Sequence, residues 1–263
     1  MVDPAVEVAV LGPVVFRGAA QGFRRAAARE LVVYLAFHRQ GARNEQWSEA
    51  LWPSRTPAPS TLHSTASDAR RALGRAPHGG EHLPRSGRRL RLEDSVGTDV
   101  ERFARLASAT DPGRWQEALA LIRGPLFEGL NQTDWAVFDG TQARVESMVV
   151  ATALKGAQHH MVNGSGRDSE WMIRQAMRVN PYDERLHRAL LRAAESQGNR
   201  VGLRTAMHQL LALATDAGDP VARSTPGKMS GGVAVSLHPQ TVALYRELCS
   251  GGMPTARGHP VRL

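Results

Sequence analysis

The sequence predicts a mainly α-helical protein, with an N-terminal winged helix-turn-helix of α+β type followed by an all-α, tetratricopeptide-like domain. Residues 43–92 contain two short helical patterns and then an arginine-rich hairpin. This order is typical of a unit whose helix enters a DNA groove while the hairpin holds neighbouring phosphates. From residue 98 onward the apolar residues recur at helical spacing. We therefore expect a winged-helix domain at 1–95, a helical domain at 96–249 and a disordered tail at 250–263.

The chain is strongly basic. Its 263 residues carry a formal net charge of +8, and all but two of its 33 basic residues are arginine. Arginine suits bidentate contact with phosphate or guanine, so nucleic acid is a favoured partner. A GC-rich genome would also enrich arginine. Residues 1–95 hold 14 arginines against 9 acidic residues, which places more than half of the excess charge in the first domain.

Other classes of chemistry have weak support in the residues. Cys249 is the only cysteine, which excludes an intramolecular disulfide and a thiolate metal site. The closest approach to a phosphate-binding loop, residues 225–229, has methionine where the metal-binding hydroxyl belongs. Histidines such as His159 and His160 lack metal-site spacing. We expect no enzyme, metal or cofactor, and the lack of a signal segment or apolar span predicts a cytoplasmic protein with no membrane partner.

The N-terminal residues predict a small sheet followed by two helices. Residues 6–11 alternate in polarity and, after a Gly-Pro turn, 14–16 form a second short strand. From 25 to 38 the spacing of apolar residues becomes helical. Asn44 can cap the next helix, which Pro53 ends. One further helix would complete a helix-turn-helix.

A third helix, beginning at Ser60 or Thr61, is the predicted DNA reader. Its narrow apolar seam toward the core is formed by Leu62, Ala66, Ala69 and Leu73. The opposite face carries small polar residues and one arginine, namely Ser60, Ser64, Ser67 and Arg71, flanked by His63 and Asp68. Such a face can approach base edges closely, although any solvated helix also has a polar face.

The hairpin strengthens this interpretation. Leucine and arginine alternate across a Ser-Gly turn, with leucines at 83, 90 and 92 and arginines at 85, 89 and 91. Glycine permits the positive φ that a tight hairpin needs. The four arginines of this segment, with no acid between them, are Arg85, Arg88, Arg89 and Arg91. They favour phosphate binding over the alternative of a solvated basic turn.

The second domain consists of predicted helix pairs. Helical patterns run through residues 98–162, interrupted at glycines, and continue to 214. Residues 176–199 resemble a tetratricopeptide unit, because Ala176 allows close packing and a proline starts the partner helix. Such stacks usually present surfaces to other proteins. Residues 219–236 are rich in glycine, serine and proline, which predicts a mobile loop.

Taken together, these segments resemble the SARP-type bacterial transcriptional regulators, in which an OmpR-like winged helix precedes a bacterial transcriptional activator domain. In the first domain the resemblance is carried by VAVLGPV at 8–14, ALWP at 50–53, STLHSTASDARRALG at 60–74 and LPRSGRRLRL at 83–92. In the second it continues through TDVERFARLA at 98–107, ALALIRGPLFEGL at 118–130, NPYDERLHRALLRAAESQGN at 180–199 and LHPQTVALYREL at 237–248. The order and spacing of these motifs carry the resemblance.

The resemblance implies a sequence-specific regulator, usually an activator, that binds short direct repeats in promoter DNA with its protomers side by side. Its helical domain would support a homodimer and contact RNA polymerase. The groove-facing residues would be Ser60, His63, Ser64, Ser67 and Arg71, with Arg85, Arg88 and Arg89 in the wing. Arg70 lies nearer the edge of the seam and could reach a phosphate. We expect Arg71 to be the main sequence reader, since a bidentate guanine contact contributes about 1–3 kcal/mol of discrimination.

One residue departs from the family pattern. The third helix has Asp68 where the family usually carries a basic residue, and an acid that faces phosphates opposes DNA association. Asp68 could instead accept from a cytosine amino group or pair with Arg71. The alternative function is a protein-interaction scaffold whose winged helix has lost DNA binding, such as the C-terminal part of a larger protein.

Overall fold

The computed structural model describes residues 4–84, 89–216 and 237–250, together with the short segments 253–254 and 260–261. Its chain contacts divide it into two units, residues 1–152 and 153–263. It is mainly helical, with a small sheet near the N-terminus, as the sequence predicts. The mobile loop predicted at 219–236 lies outside the described residues.

The sheet of the first unit joins strands that are distant in sequence. Strand β1 (Val6–Ala9) pairs antiparallel with β2 (Val15–Arg17), which matches the predicted hairpin. On its other side β1 pairs in parallel with β5 (Val96–Thr98), so the order is β2-β1-β5. The sequence analysis missed β5, because a three-residue strand leaves too short a pattern to recognise.

The winged helix follows the sheet. In chain order its elements are α1 (Ala26–Phe37), β3 (Ala42–Arg43), α2 (Asn44–Leu51), α3 (Pro59–Leu73) and β4 (Arg89–Leu90). Helix α1 is buried on most of its sides because it contacts α2, α3 and the sheet. Trp47 and Leu51 bury the inner face of α2, and each such side chain contributes about 1.5–3 kcal/mol. Helix α3 therefore rests on a packed support.

The helices that follow the sheet within this unit are α4 (Asp99–Ala107), α5 (Pro112–Ala120), α6 (Asp134–Phe138) and the start of α7 (Thr141–Val162). Helix α4 begins with a capping box, in which Thr98 and Glu101 each accept the other's backbone N–H. Gly140, at a φ of 74°, separates α6 from α7. Trp135 on α6 packs edge-on against Tyr34 of α1, with ring centroids 5.2 Å apart.

A buried carboxylate ties these helices to the sheet. The side-chain oxygens of Asp99 accept the backbone N–H groups of Val10 at 2.8 Å and Leu11 at 3.0 Å. Arg123 lies 3.4 Å from the same carboxylate and donates its own backbone N–H to the carbonyl of Leu11. Gly12 is required between them, because its φ is 135° and a Cβ would lie 2.7 Å from the nitrogen of Gly124. The segment after β1 is therefore bonded to residues that follow the sheet.

The second unit contains helix pairs. In chain order its elements after α7 are α8 (Gly166–Met177), α9 (Glu184–Ser196), α10 (Arg200–Asp216), α11 (Pro239–Ser250), β6 (Met253–Pro254) and β7 (Pro260–Val261). Helix α9 contacts α8, α10 and α11. Ala176 is fully buried, as expected for the close α8 and α9 pairing of a tetratricopeptide-like unit. Strands β6 and β7 pair antiparallel, a feature that the sequence analysis did not expect in the tail.

Helix α11 is held by polar contacts to α9. The carboxylate of Glu184 accepts the backbone N–H of His238 and the hydroxyl of Thr241. The Arg188 guanidinium donates to the Thr241 hydroxyl at 2.6 Å.

In the part of the chain that the structure describes, no helix is both long and apolar enough to cross a membrane.

We predict that Asp99→Ala lowers the free energy of unfolding by about 2–5 kcal/mol, because it leaves two buried N–H groups without their acceptor and removes the ion pair with Arg123. Urea denaturation monitored by tryptophan fluorescence measures this. Asp99→Asn keeps one acceptor oxygen and should lose less. Asp94→Ala is the control, since that side chain is 91% exposed and should change stability by less than about 0.5 kcal/mol. Equal stability of Asp99→Ala and the wild type would contradict the assigned role.

Candidate nucleic-acid interface

Helix α3 presents one face to solvent and buries the other. It begins at Pro59, which suits the first helical position because proline has no N–H to leave unpaired. Its buried residues are Thr65, Ala66, Asp68, Ala69, Ala72 and Leu73. Of the predicted groove-facing residues, Ser60, His63 and Arg71 are exposed, whereas Ser64 and Ser67 are half-buried. The exposed face is therefore narrower than the sequence predicts.

The burial of Asp68 is one difference between the predicted and the observed exposed face of α3. The prediction that it flanks the solvent face is wrong, because its side chain is only 5% exposed. Its Oδ2 accepts the backbone N–H groups of Arg24 and Arg25, each at 3.0 Å. The segment that contains these two arginines also lies along α3, because the N–H of Gln21 donates to the carbonyl of Ala72 at 3.2 Å. Residues outside the helix thus cover a flank that its own periodicity leaves polar.

Arg71 stays at the surface beside this carboxylate. Its side chain is 46% exposed, and its Nη1 lies 3.5 Å from Oδ1 of Asp68. The pairing of these two residues is one of the alternatives that the sequence left open. A long and half-exposed contact of this kind is weak. The guanidinium can therefore exchange it for an external acceptor at low cost.

Arg70 points to the other edge of α3. Its Nε donates to the carbonyl of Leu83 at 2.9 Å and lies 3.7 Å from a carboxylate oxygen of Glu81, with the side chain only 14% exposed. The guanidinium is therefore engaged with the segment that leads into the hairpin. This contact fixes the base of the hairpin, where residues 82–83 and 92–93 lie side by side, against α3.

The described part of the hairpin is built differently from a simple two-stranded ribbon. Strand β4 pairs antiparallel with β3, with Arg89 opposite Arg43. The base is closed where the N–H of Glu93 donates to the carbonyl of His82 at 2.9 Å. Arg89 is exposed, and its Nη1 donates to the carbonyl of Gln40 at 3.3 Å. Arg85 and Arg88, which the sequence assigns to the wing, lie outside the described residues.

Arg24 and Arg25 have no role in the sequence-based prediction. Both side chains are exposed at the start of α1, next to Asp68. An arginine pair directly before a helix is the sequence signal that could have drawn attention to them. Their closeness to α3 could not be read from the sequence, because more than forty residues separate them.

No cluster of potential metal ligands is present among the described residues. The arrangement at α3 consists instead of small polar side chains, an exposed arginine and a basic hairpin. Hydroxyl, imidazole and guanidinium groups can donate to base edges and phosphates. The chemistry available at this surface is therefore hydrogen bonding and charge.

Comparisons with known proteins agree with this architecture. Residues 91–209 match the family model of the bacterial transcriptional activator domain. The structure is similar to that of Mycobacterium tuberculosis EmbR in complex with a low affinity phosphopeptide, with a TM-score of 0.58 and 19% sequence identity, covering 98% of this chain and 74% of that chain. No curated protein sequence matches the chain.

A winged helix joined to a bacterial transcriptional activator domain defines a class of bacterial transcriptional regulators. The domain match over residues 91–209 and the shared fold support the resemblance to SARP-type regulators that the sequence motifs carry. The likeness to EmbR concerns the fold, while the domain match supplies the class.

We predict that Asp68→Ala lowers the free energy of unfolding by about 1–3 kcal/mol, since the N–H groups of Arg24 and Arg25 lose their acceptor. Chemical denaturation measures the loss, and Asp68→Asn should recover part of it. Ser67→Ala, one residue away and half-buried, is expected to change stability by less than about 0.5 kcal/mol. An Asp68→Ala protein with the same free energy of unfolding as the wild type would show that this carboxylate does not hold α1 to α3.

His82 should make the hairpin base sensitive to acid. Burial lowers the pKa of His82 from its ordinary value of 6.5, and nearby His78 acts in the same direction. The folded state therefore binds this proton less readily than the unfolded state, so stability present above pH 6.5 is lost as the pH falls toward the folded pKa. We expect His82→Gln to reduce the difference in unfolding free energy between pH 7.5 and 5.5. An unchanged difference in that variant would exclude His82 as the source.

Proposed function

We propose that this SARP-type regulator binds promoter DNA sequence-specifically through α3 and the wing, and acts as an activator. The observation that carries the proposal is the anchoring of α3 at both edges. Asp68 fixes one edge to the start of α1, and Arg70 fixes the other to the hairpin base. A helix held in this way can present a fixed pattern of donors to base edges without first becoming ordered.

Sequence reading is assigned to the exposed face of α3. Short side chains at Ser60, Ser64 and Ser67 allow the helix backbone to approach the groove floor, and His63 adds a planar donor or acceptor. Arg71 has the length and the forked geometry to bind both acceptors of a guanine. Its weak contact with Asp68 supports this role. That contact orients the guanidinium, and breaking it to bind a base costs little energy.

Phosphate binding is assigned to the wing arginines, Arg85, Arg88 and Arg89. The exposure of Arg89 supports this role. Arg70 receives a different role from the one that the sequence suggested. Because its guanidinium binds the carbonyl of Leu83, we assign it to positioning the wing rather than to a phosphate.

The helical domain is assigned to protein contacts, with RNA polymerase and a second protomer as the proposed partners. The support is the activator-domain match and the helix pairs of residues 166–216. In vitro transcription from a bound promoter tests activation, and analytical ultracentrifugation with and without promoter DNA tests dimer formation.

The scaffold alternative loses the observation that favoured it. That alternative depended on an acid facing the DNA phosphates, and the carboxylate of Asp68 is buried among backbone donors instead. The Asp68 carboxylate faces the backbone N–H groups of Arg24 and Arg25 and does not itself present an acid to a docked phosphate. The burial of Asp68 therefore favours DNA reading over a scaffold role.

We predict that Arg71→Ala weakens binding to a cognate promoter by about 5- to 150-fold, corresponding to the loss of one bidentate base contact. Fluorescence anisotropy at about 150 mM salt would compare promoter fragments from the protein's own locus with a scrambled duplex. Binding to the scrambled duplex should change much less, so that the selectivity ratio falls.

Arg114→Ala is a matched control for this measurement. Arg114 and Arg71 each pair with an acid three residues away, and their side chains are 53% and 46% exposed. The control should bind the promoter as the wild type does. Unchanged promoter affinity in Arg71→Ala would exclude Arg71 as the reader, and a wild type that does not distinguish promoter from scrambled DNA would overturn the proposed function.

A further inference from the structure

Two consecutive arginines lie beside α3 without taking part in its reading face. Arg24 and Arg25 are exposed, and neither side chain forms an ion pair with a residue that the structure describes. Their backbone N–H groups are fixed, each 3.0 Å from Oδ2 of Asp68. The chain therefore holds their main-chain atoms against α3 while both residues stay exposed to solvent.

Helical geometry places them relative to the wing. Asp68 and Arg71 point about 60° apart around α3 because they differ by three residues. Arg70 points about 100° from Arg71 in the opposite sense, toward Leu83 at the hairpin base. One edge of the exposed face is therefore bordered by Arg24 and Arg25, and the other edge by the wing.

The local charge on the first edge favours an anion. This edge holds three arginines, at positions 24, 25 and 71, and one carboxylate, that of Asp68, which accepts the backbone N–H groups of the first two and lies 3.5 Å from the guanidinium of the third. The first turn of α1 contains no acid, so the positive end of its helix dipole is opposed by Asp68 alone. Because that carboxylate is buried beneath them, the exposed groups at this edge are cationic.

We propose that Arg24 and Arg25 form a second phosphate-binding site, which grips the DNA backbone on the side of α3 opposite the wing. The major groove is about 12 Å wide and a helix with its side chains is about 10 Å across, so groups at both edges of an inserted helix reach the two backbones. The forked guanidinium suits a phosphodiester. This inference rests on the proposed function, because these phosphates are within reach only when α3 docks on DNA.

The site adds affinity and register, and it reads no base. Removing it should therefore weaken every duplex alike. Each phosphate contact contributes about 0.9 to the slope of log affinity against log salt concentration. Loss of two contacts should reduce the magnitude of that slope by about 1.8, and should lower affinity roughly 10- to 30-fold near 150 mM salt.

The test measures the Arg24→Ala/Arg25→Ala protein by fluorescence anisotropy against promoter and scrambled duplexes over a series of salt concentrations. Both affinities and the slope should fall as stated, with the ratio between the two duplexes unchanged. Arg24→Lys/Arg25→Lys should keep most of the slope. The alanine substitutions remove only side-chain atoms, so the backbone hydrogen bonds to Asp68 stay in place. Thermal unfolding checks that the Arg24→Ala/Arg25→Ala protein is folded. If that protein is unstable, Arg24→Gln/Arg25→Gln gives the same readout.

Arg105→Ala/Arg114→Ala is the charge-matched control, since it removes two exposed arginines from α4 and α5 of the same unit. It should retain the wild-type slope. An equal slope for Arg24→Ala/Arg25→Ala and the wild type would overturn the inference and leave the proposed function standing, as would an equal loss in the control. A wild type whose duplex binding does not depend on salt would overturn both.

Discussion

Asp99 accepts hydrogen bonds from the backbone N–H groups of Val10 and Leu11 at the place where the first strand, helix α4 and residues 123–128 meet. Burial raises the pKa of the Asp99 carboxyl, while the two N–H groups and Arg123 act in the opposite direction. Without those donors an ionised carboxylate in this position would cost several kcal/mol. The winged helix and the first helices of the activator domain consequently share hydrogen bonds within one unit.

The same chemistry recurs at two further positions. Asp68 accepts the N–H groups of Arg24 and Arg25, and the buried Glu30 of α1 accepts the N–H of Asn131 at 3.1 Å. In each case a carboxylate from one element satisfies backbone groups of another. Such bonds have strict geometry, so they fix the orientation of elements more closely than apolar packing does. The direction in which α3 points depends on the contacts of Asp68 with the backbone of Arg24 and Arg25.

The proposed DNA-reading function would separate two tasks in this arrangement. The small side chains and Arg71 on the exposed face would discriminate between bases, which requires fixed donors. Arginines at the edges of that face would add affinity through the phosphates, which depends on salt and not on sequence. The cost of burying the Asp68 carboxylate in α3 is offset by the backbone N–H groups of Arg24 and Arg25, whose hydrogen bonds it accepts. Protein partners are proposed for the helix pairs of the second unit.

Much of the fold was predictable from the sequence because it depends on local periodicity. The seam of α3 from Ala66 to Leu73, the start of α4 after Thr98 and the helix break at Gly140 all follow from spacing, capping and backbone preference. The family motifs likewise predicted the bacterial transcriptional activator domain that the match at residues 91–209 confirms. Strand β5 was missed because its three residues make too short a pattern, and because the strand that it pairs with lies 90 residues earlier in the chain.

The candidate site was predictable only in part. The sequence by itself determined which residues share the polar side of α3, because helical spacing fixes their relative directions. It could not determine that Asp68 is buried, that Arg70 turns to Leu83 or that Arg24 and Arg25 lie beside the reading face. Each of those facts depends on a segment that is distant in sequence and covers a surface which periodicity alone leaves open. Tertiary structure decided them because a side chain's environment is set by the neighbours that the fold brings to it.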